Sequence, residues 1–378
     1  MHELIDKNDL EHSIILLLSK NPLNDVEIEL LRNLMNTHMD WSKVMGLLSF
    51  HRISAVAWKN IKKYILADAS QRFKCGHLIN YLEFIYSSQE VKALEQLHCI
   101  EKVCTAFEKV NIRYVIQKGI ILSSFAYQDI ASRISNDTDI IVHMNDVMEV
   151  QSILKSLGYS QGNYDFVNNK LVPAERKEIV MSTLVSHEVY PFTKVTNEYN
   201  VLKSHQVDIQ FSVDLMTNVR TDSIVEEILA RRKKVKINDS ILYTTDWEDL
   251  LIFTSIHFYK EAAILSEVLK YKDLLLYKIC DLYYILTSPS IKINWKEFVN
   301  RTKSYGFTEA IYYALYYVES IFGNIVPHEF LEQLKPSSLN YLQQVYKGTE
   351  LKFEWNDEIL DRVFKMNRPS QLCKENIY

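Results

Sequence analysis

The sequence predicts an α+β protein in which an α/β core with a mixed sheet is flanked by N-terminal and C-terminal helical units. Three observations carry this reading. Both ends of the chain space apolar residues at helical steps, as in Val26, Ile28, Leu30, Leu31 and Leu34. Between Ile112 and Phe211 the grammar changes to short apolar runs of strand length separated by helical stripes. Glycine and proline number only 8 and 7 among 378 residues, too few for a chain made of many tight turns. Single cores rarely grow beyond about 250–300 residues, so the chain is expected to divide. The shifts in pattern place three units at 1–95, 96–244 and 245–378.

The elements follow in order. Ile14–Leu18 and Val26–Leu34 read as helices separated by Pro22 and Asn24. A longer helix over Val91–Val110 carries Leu94, Leu97, Ile100, Val103 and Phe107 on one face. Arg113–Gln117 reads as a strand that ends at Lys118-Gly119, with an amphipathic segment, Ile120–Tyr127, directly behind it. Asp137–Val142 is the next strand. Asn145 is then placed to cap a helix striped by Val147, Val150, Ile153, Leu154 and Leu157, and Gly158 to end it. Val207–Val213 alternates apolar and polar residues, with Asp208 on the polar face. A helix beyond Thr221, a strand pair within Val235–Tyr243, a capping box at Thr245 and Glu248, and helical runs over Leu265–Leu286 and Thr308–Phe322 complete the reading.

Composition excludes several classes. A hydrophobic share of 47% and a charged share of 24% are those of a globular protein with real cores, not of a disordered chain or a fibre. The net charge of -5 gives no global attraction to nucleic acid, which is therefore not a favoured partner and would need a local basic patch. Cys75, Cys99, Cys104, Cys280 and Cys373 form no C-x-x-C pair, so reduced thiols and a cytoplasmic location are expected. No run of about 18 apolar residues suggests a membrane span. No basic flank and apolar stretch at Met1–Asp6 suggests a secretion signal.

The chemistry concentrates in three aspartates. Residues two apart on a strand share a face, so Asp137 and Asp139 hold their carboxylates side by side. Two such anions repel unless a cation joins them, and magnesium (or manganese) favours hard oxygen ligands. A third carboxylate on a neighbouring strand, for which Asp208 is the candidate, would admit two ions about 3.5–4 Å apart. Asp-x-Asp at the start of a strand also serves as turn or capping chemistry. Upstream, Lys118-Gly119 sits at a strand-to-helix junction, where glycine permits close backbone approach to phosphate; a plain turn is the other reading.

The order Val115-Ile116-Gln117-Lys118-Gly119, then Tyr127, Arg133, Asp137-Thr138-Asp139-Ile140-Ile141-Val142 and Leu157-Gly158-Tyr159 resembles the nucleotidyltransferases related to DNA polymerase beta. It is most similar to a bacterial branch known as uncharacterised nucleotidyltransferases. The resemblance is strongest over Ile112–Val142, extends to Phe211, and continues as pattern at His187, Pro191-Phe192, Leu250-Leu251, His257, Lys272 and Asp281. It implies that Asp137, Asp139 and Asp208 are the metal-binding and catalytic carboxylates. The turn departs from the wider superfamily, which places Gly-Ser or Gly-Gly closer to the Asp pair than Lys118-Gly119-Ile120 stands here.

Secondary candidates each carry two readings. Lys118 neutralises a triphosphate or is a solvated strand-end lysine; Arg133 clamps phosphate through its fork or makes a surface ion pair. Ser123 and Ser124 face the nucleotide or simply an exposed helix side. His187-Glu188 invites a general-base or metal-ligand reading against a structural one, and His257 lies on an apolar stripe that favours the core. By the resemblance, Lys272 and Asp281 line a cleft; an interhelical salt bridge is the competing account. The run Arg231-Arg232-Lys233-Lys234-Val235-Lys236 holds a polyanionic acceptor or, as its place behind a helix favours, answers the helix dipole on a solvated face.

The expected activity is metal-dependent transfer of a nucleoside monophosphate from an NTP to an acceptor, with pyrophosphate leaving. Asp137 and Asp139 hold magnesium, Asp208 completes the site and assists deprotonation of the acceptor, and Lys118, Gly119 and Arg133 manage the triphosphate charge. A peptide or small-molecule hydroxyl or phosphate, or an RNA end, is open as acceptor. Peptide natural-product biosynthesis is implied only by the resemblance. An Asp-x-Asp metal-dependent glycosyltransferase and a non-catalytic nucleotide-binding protein are the alternatives.

Overall fold

The structure, a computed structural model, describes residues 9–67, 76–186, 188–213, 221–348 and 350–372. It divides into two compact units, Met1–Tyr86 with Thr254–Tyr378, and Ser87–Phe253. Its class is the expected mixed α+β.

The Ser87–Phe253 unit is built on a mixed sheet of eight strands: β1 (Tyr114–Gln117), β2 (Asp137–Val142), β3 (Ser160–Asp165), β4 (Lys170–Pro173), β5 (Phe192–Val195), β6 (Ser204–Gln210), β7 (Lys233–Ile237) and β8 (Ser240–Thr244). Their order is β4-β3-β5-β6-β2-β1-β8-β7. β2 lies parallel to β6, β1 lies parallel to β8, and the other pairings are antiparallel. The centre reads as apolar runs because it is buried: Val115, Ile140, Ile141 and Val142 are fully enclosed. The helix Gly76–Lys109 buries Leu97, Ile100, Val103 and Phe107 of the predicted stripe, and Phe107 meets Tyr114 of β1 edge-on at 5.9 Å. Leu94, assigned to that stripe, is exposed instead.

Several local expectations change. Asn145 does not cap its helix: it lies in a short 3-10 turn, Met144–Asp146, and His143 Nδ1 accepts its N–H at 3.2 Å before the helix Val147–Ser156 begins. Gly158 does end that helix, at φ 87°. Ahead of the helix Trp247–Ala263, Asp246 rather than Thr245 supplies the cap, accepting from the Asp249 N–H at 2.9 Å. The β3–β4 hairpin had no counterpart in the sequence reading. It closes tightly at Gly162, where a Cβ would fall 2.3 Å from the Val172 carbonyl oxygen.

The other unit joins helices from both ends of the chain. Asn24 and Glu27 form a reciprocal capping box on the helix Asp25–Asn36. Tyr284 of the helix Leu276–Thr287 donates to the Ser19 carbonyl at 3.1 Å, and the Leu276 N–H donates to His51 Nδ1 at 3.1 Å. The expected run Leu265–Leu286 breaks after Val268, where Tyr271 takes φ 59°. A small hairpin, β9 (Gln344–Lys347) and β10 (Glu350–Glu354), accompanies a cluster of Leu265, Val268, Val345, Trp355 and Leu372. Cys99, Cys104 and Cys280 are free and buried; Cys75 and Cys373 lie outside the described residues. Among the described residues no helix is long and apolar enough to cross a membrane.

Arg368 and Asp273 form a buried fork in this unit, with Nε to Oδ2 at 2.6 Å and Nη2 to Oδ1 at 2.9 Å. Neither side chain is more than 1% exposed, so removing one partner strands the other charge away from water. Arg368→Ala is expected to cost about 3–5 kcal/mol in urea unfolding. A loss below about 1 kcal/mol would show that the pair contributes no more than a surface salt bridge.

Candidate functional site

The site begins where β1 ends. Lys118 leaves the strand at φ 46° and Gly119 continues at φ 37°, so two successive residues adopt positive φ in a tight corner. For a lysine this conformation costs on the order of 1–3 kcal/mol and persists only where the surroundings impose it. The Lys118 carbonyl accepts from the Ile121 and Leu122 N–H groups at 2.8 and 3.1 Å, which starts the short helix Gly119–Ile121 and the wider turn Leu122–Ala126. A Cβ on Gly119 would stand 3.1 Å from Ser135 Oγ, and that hydroxyl already donates to the Asp137 carbonyl at 2.9 Å. The corner thus presses against the start of β2.

Strand register then assembles the acidic face. In the parallel β2–β6 pair, Asp139 lies opposite Asp208 and Asp137 opposite Gln206; in the antiparallel β1–β2 pair, Gln117 lies opposite Asp139. Partners in register point to the same face, so Gln117, Asp139 and Asp208 form one row across three strands. Gln206 Nε2 donates to Asp208 at 3.0 and 3.3 Å, Gln210 Nε2 donates to Asp139 Oδ1 at 3.2 Å, and Lys118 Nζ stands 3.7 Å from Asp139 Oδ2. Asp137, Asp139 and Asp208 are each half-buried, so this face is partly open to water.

The opposite face is sealed. Thr138, Ile140, His205, Val207 and Ile209 are buried. His205 ties the layer together, with Nε2 3.0 Å from Thr138 Oγ1 and Nδ1 2.7 Å from the Tyr159 hydroxyl. Gln96 donates to the Asp137 carbonyl at 3.0 Å. The Asp137 carbonyl and the layer beneath β2 and β6 are therefore held in place.

Charge accumulates on the open face. Burial, then repulsion from Asp139, raises the Asp137 carboxyl above the usual range, while Lys118 and Arg133 pull it down. Asp208 is raised well above that range by burial, then by Asp139 and Asp137, with Glu188 adding to the rise and Gln206 opposing it. Beyond burial, each shift carries a repulsive part from the neighbouring carboxylates, which a nearby cation would relieve. The donor set is one of hard oxygens suited to magnesium. Among the described residues, however, no three His, Cys, Asp or Glu side chains already stand at metal-ligand spacing; amides and an ammonium hold the carboxylates.

The other sequence candidates are placed as follows. Arg133 is buried close enough for its charge to act on Asp137, and its carbonyl accepts from Gln89 and Ser123. Ser123 also donates to the Gly119 carbonyl at 3.2 Å, and the Ser124 hydroxyl is buried without a partner. Lys272, His257 and Asp281 belong to the other unit: Lys272 pairs with Glu267 at 3.0 Å, His257 pairs with Glu261 at 3.0 Å, and Asp281 is buried. His187 lies outside the described residues. Of the basic run, Arg231 pairs with Asp249 and Glu227 at 3.0 and 3.1 Å, Arg232 covers the Tyr243 ring and Lys233 the Trp247 ring.

Three glutamines, Gln117, Gln206 and Gln210, were overlooked or left unassigned. Gln206 and Gln210 flank Asp208 on the polar parity of β6, a signal present in the alternation itself. Gln117 is buried with Nε2 unpartnered, as is the Thr245 hydroxyl beyond the neighbouring strand. Glu188 pairs with Gln210 in an isolated antiparallel bridge.

Similarity to known proteins defines the class as nucleotidyltransferase. The pattern described as uncharacterised nucleotidyltransferase matches residues 37–323, most of the chain, and the protein belongs to that family. The chain is also similar to the crystal structure of an antigenic nucleotidyltransferase-like protein from Paracoccidioides brasiliensis. That likeness stands at 14% identity and a TM-score of 0.30 over 57% of this chain and 92% of that one, so the assignment rests on the family match. No curated protein matches the sequence. Family membership supports nucleotidyl transfer in general.

The buried His205 makes the fold sensitive to acid. Burial pushes its ring down to about 3 from the ordinary 6.5, so between those values the unfolded chain binds a proton that the native state does not. Its contribution is present above pH 6.5 and is lost as pH falls toward 3, amounting to about 2 kcal/mol between pH 7 and pH 5. His205→Gln is expected to lose less stability than wild type between those two pH values in urea unfolding. Equal losses would remove His205 from the account.

Proposed function

We propose that this protein transfers a nucleoside monophosphate from an NTP, taken as its magnesium or manganese complex, to an acceptor hydroxyl or phosphate, with release of pyrophosphate. The observation that carries the reading is the register of Asp139 with Asp208 on adjacent parallel strands, with Asp137 on the same face and the Lys118-Gly119 corner beside them. Asp137, Asp139 and Asp208 are the residues that would hold the metal, which when bound supplies Lewis-acid stabilisation of the developing phosphate charge.

The chain's own residues provide the rest. Lys118 brings a buried ammonium to the edge of the acidic row, suited to neutralising triphosphate oxygens that arrive there. Gly119 holds the corner at positive φ with no Cβ to crowd Ser135, and Arg133 adds positive charge on the Asp137 side. Gln206 and Gln210 orient two of the carboxylates without cancelling their charge. The cationic corner favours a triphosphate donor over the sugar nucleotide of an Asp-x-Asp glycosyltransferase.

The test is a magnesium-dependent binding and turnover screen across the four nucleoside triphosphates beside Asp137→Ala and Asp139→Ala. Wild type is expected to release pyrophosphate, and each variant to lose on the order of 10²–10³-fold in turnover. Metal-independent binding that survives unchanged in both variants defeats the site assignment. Release of a nucleoside diphosphate from a sugar nucleotide would point to glycosyl transfer.

A further inference from the structure

We propose that Glu188 stands on the acceptor side of this site and takes the proton from the attacking hydroxyl. The inference rests on the nucleotidyl-transfer reading and deepens it. Glu188 and Gln210 are partners in an antiparallel bridge, and the Val189 N–H donates to the Ile209 carbonyl at 2.9 Å beside it. Bridge partners project to one face, and Gln210 shares its parity on β6 with Asp208. The Glu188 carboxyl therefore belongs to the open acidic face, not to the sealed one. Two further observations agree: its charge acts on Asp208, and the Gln210 amide beside it reaches Asp139 Oδ1 at 3.2 Å.

The order of strands assigns the side. The Lys118-Gly119 corner lies at the end of β1, and β1, β2 and β6 follow one another across the sheet, with Glu188 bridged to β6. In-line displacement at phosphorus puts nucleophile and leaving group on opposite sides. If the corner receives the pyrophosphate end of the donor, the acceptor approaches over β6, where Glu188 stands. With Asp137, Asp139 and Asp208 assigned to the metal in the proposed function, Glu188 is, among the described residues, a further carboxylate that the bridge to Gln210 places on the β6 side. The acceptor O–H bond breaks with its proton passing to a Glu188 carboxylate oxygen. The acceptor oxygen bonds to the α-phosphorus, and the bond from that phosphorus to the α,β-bridging oxygen breaks, pyrophosphate leaving with the electron pair.

The experiment uses the full chain with magnesium and each of the four NTPs, following pyrophosphate release with water, glycerol and trifluoroethanol as acceptors. Glu188→Gln is expected to lower kcat on the order of 10²–10⁴-fold while KM for the NTP, nucleotide binding and melting temperature stay within about twofold. Glu188→Asp should retain part of the rate. The deficit in Glu188→Gln should be smaller with trifluoroethanol, whose hydroxyl is more acidic, than with glycerol; a merely structural role would depress both alike. Wild-type turnover with an unimpaired Glu188→Gln overturns this inference and leaves the nucleotidyl-transfer reading standing. Loss of nucleotide binding in Glu188→Gln moves the residue to the donor side and also overturns it. If wild type releases no pyrophosphate from any NTP, or Asp139→Ala is as active as wild type, the underlying reading fails and this inference with it.

Discussion

Parallel pairing of β2 with β6 is the constraint on which the rest depends, because it sets Asp139 against Asp208 in a register that leaves both carboxylates on one face. Two anions at neighbouring positions in a sheet are destabilising. The chain offsets that cost elsewhere. On the sealed face, Val207, Ile209 and Ile140 are removed from water, and His205 links Thr138 of β2 to Tyr159. A one-residue slip would exchange the two faces, bury the aspartates and expose this apolar set, so the core that stabilises the sheet also fixes the acidic row.

The corner at Lys118 shows the same division of labour. A lysine at φ 46° is unfavourable by itself, but the following helix begins from its carbonyl, and Gly119 fits against Ser135 where a larger residue would crowd. The result brings the Lys118 ammonium within 3.7 Å of Asp139 Oδ2. That distance is ionic contact, not a hydrogen bond, so the lysine lessens repulsion without saturating the carboxylate. The two glutamines act similarly as neutral donors: they orient Asp139 and Asp208 without adding charge to the face.

Much of this was legible in the sequence, for identifiable reasons. The parity of Asp137 and Asp139 survives any strand pairing, and the step from strand to turn at Lys118-Gly119 is local chemistry. What failed depended on neighbours distant in sequence or on competition between adjacent groups. Thr245 and Asp246 are both competent caps, and only the geometry of the helix start selects Asp246. Asn145 lost its expected role because His143 begins the turn first. The β3–β4 hairpin escaped notice because its residues are largely polar and exposed at the sheet edge, so no burial alternation marks them. His187-Glu188 invites a general-base or metal-ligand reading in the sequence, but the bridge from Glu188 to Gln210 is a tertiary fact with no periodic signature.

The electrostatics of the open face also constrain how a donor would arrive. The chain carries a net charge of -5, and Asp137, Asp139 and Asp208 gather their carboxyls on one face. A bare nucleoside triphosphate would meet repulsion from both, while Lys118 and Arg133 supply positive charge only at the corner and on the Asp137 side. A triphosphate complexed with a divalent cation reverses the sign of that encounter at its phosphate end, since the carboxylates then face the metal and not phosphate oxygen. Selectivity for a metal-bound donor would follow from the same register that brings Asp139 opposite Asp208, with no separate recognition element required.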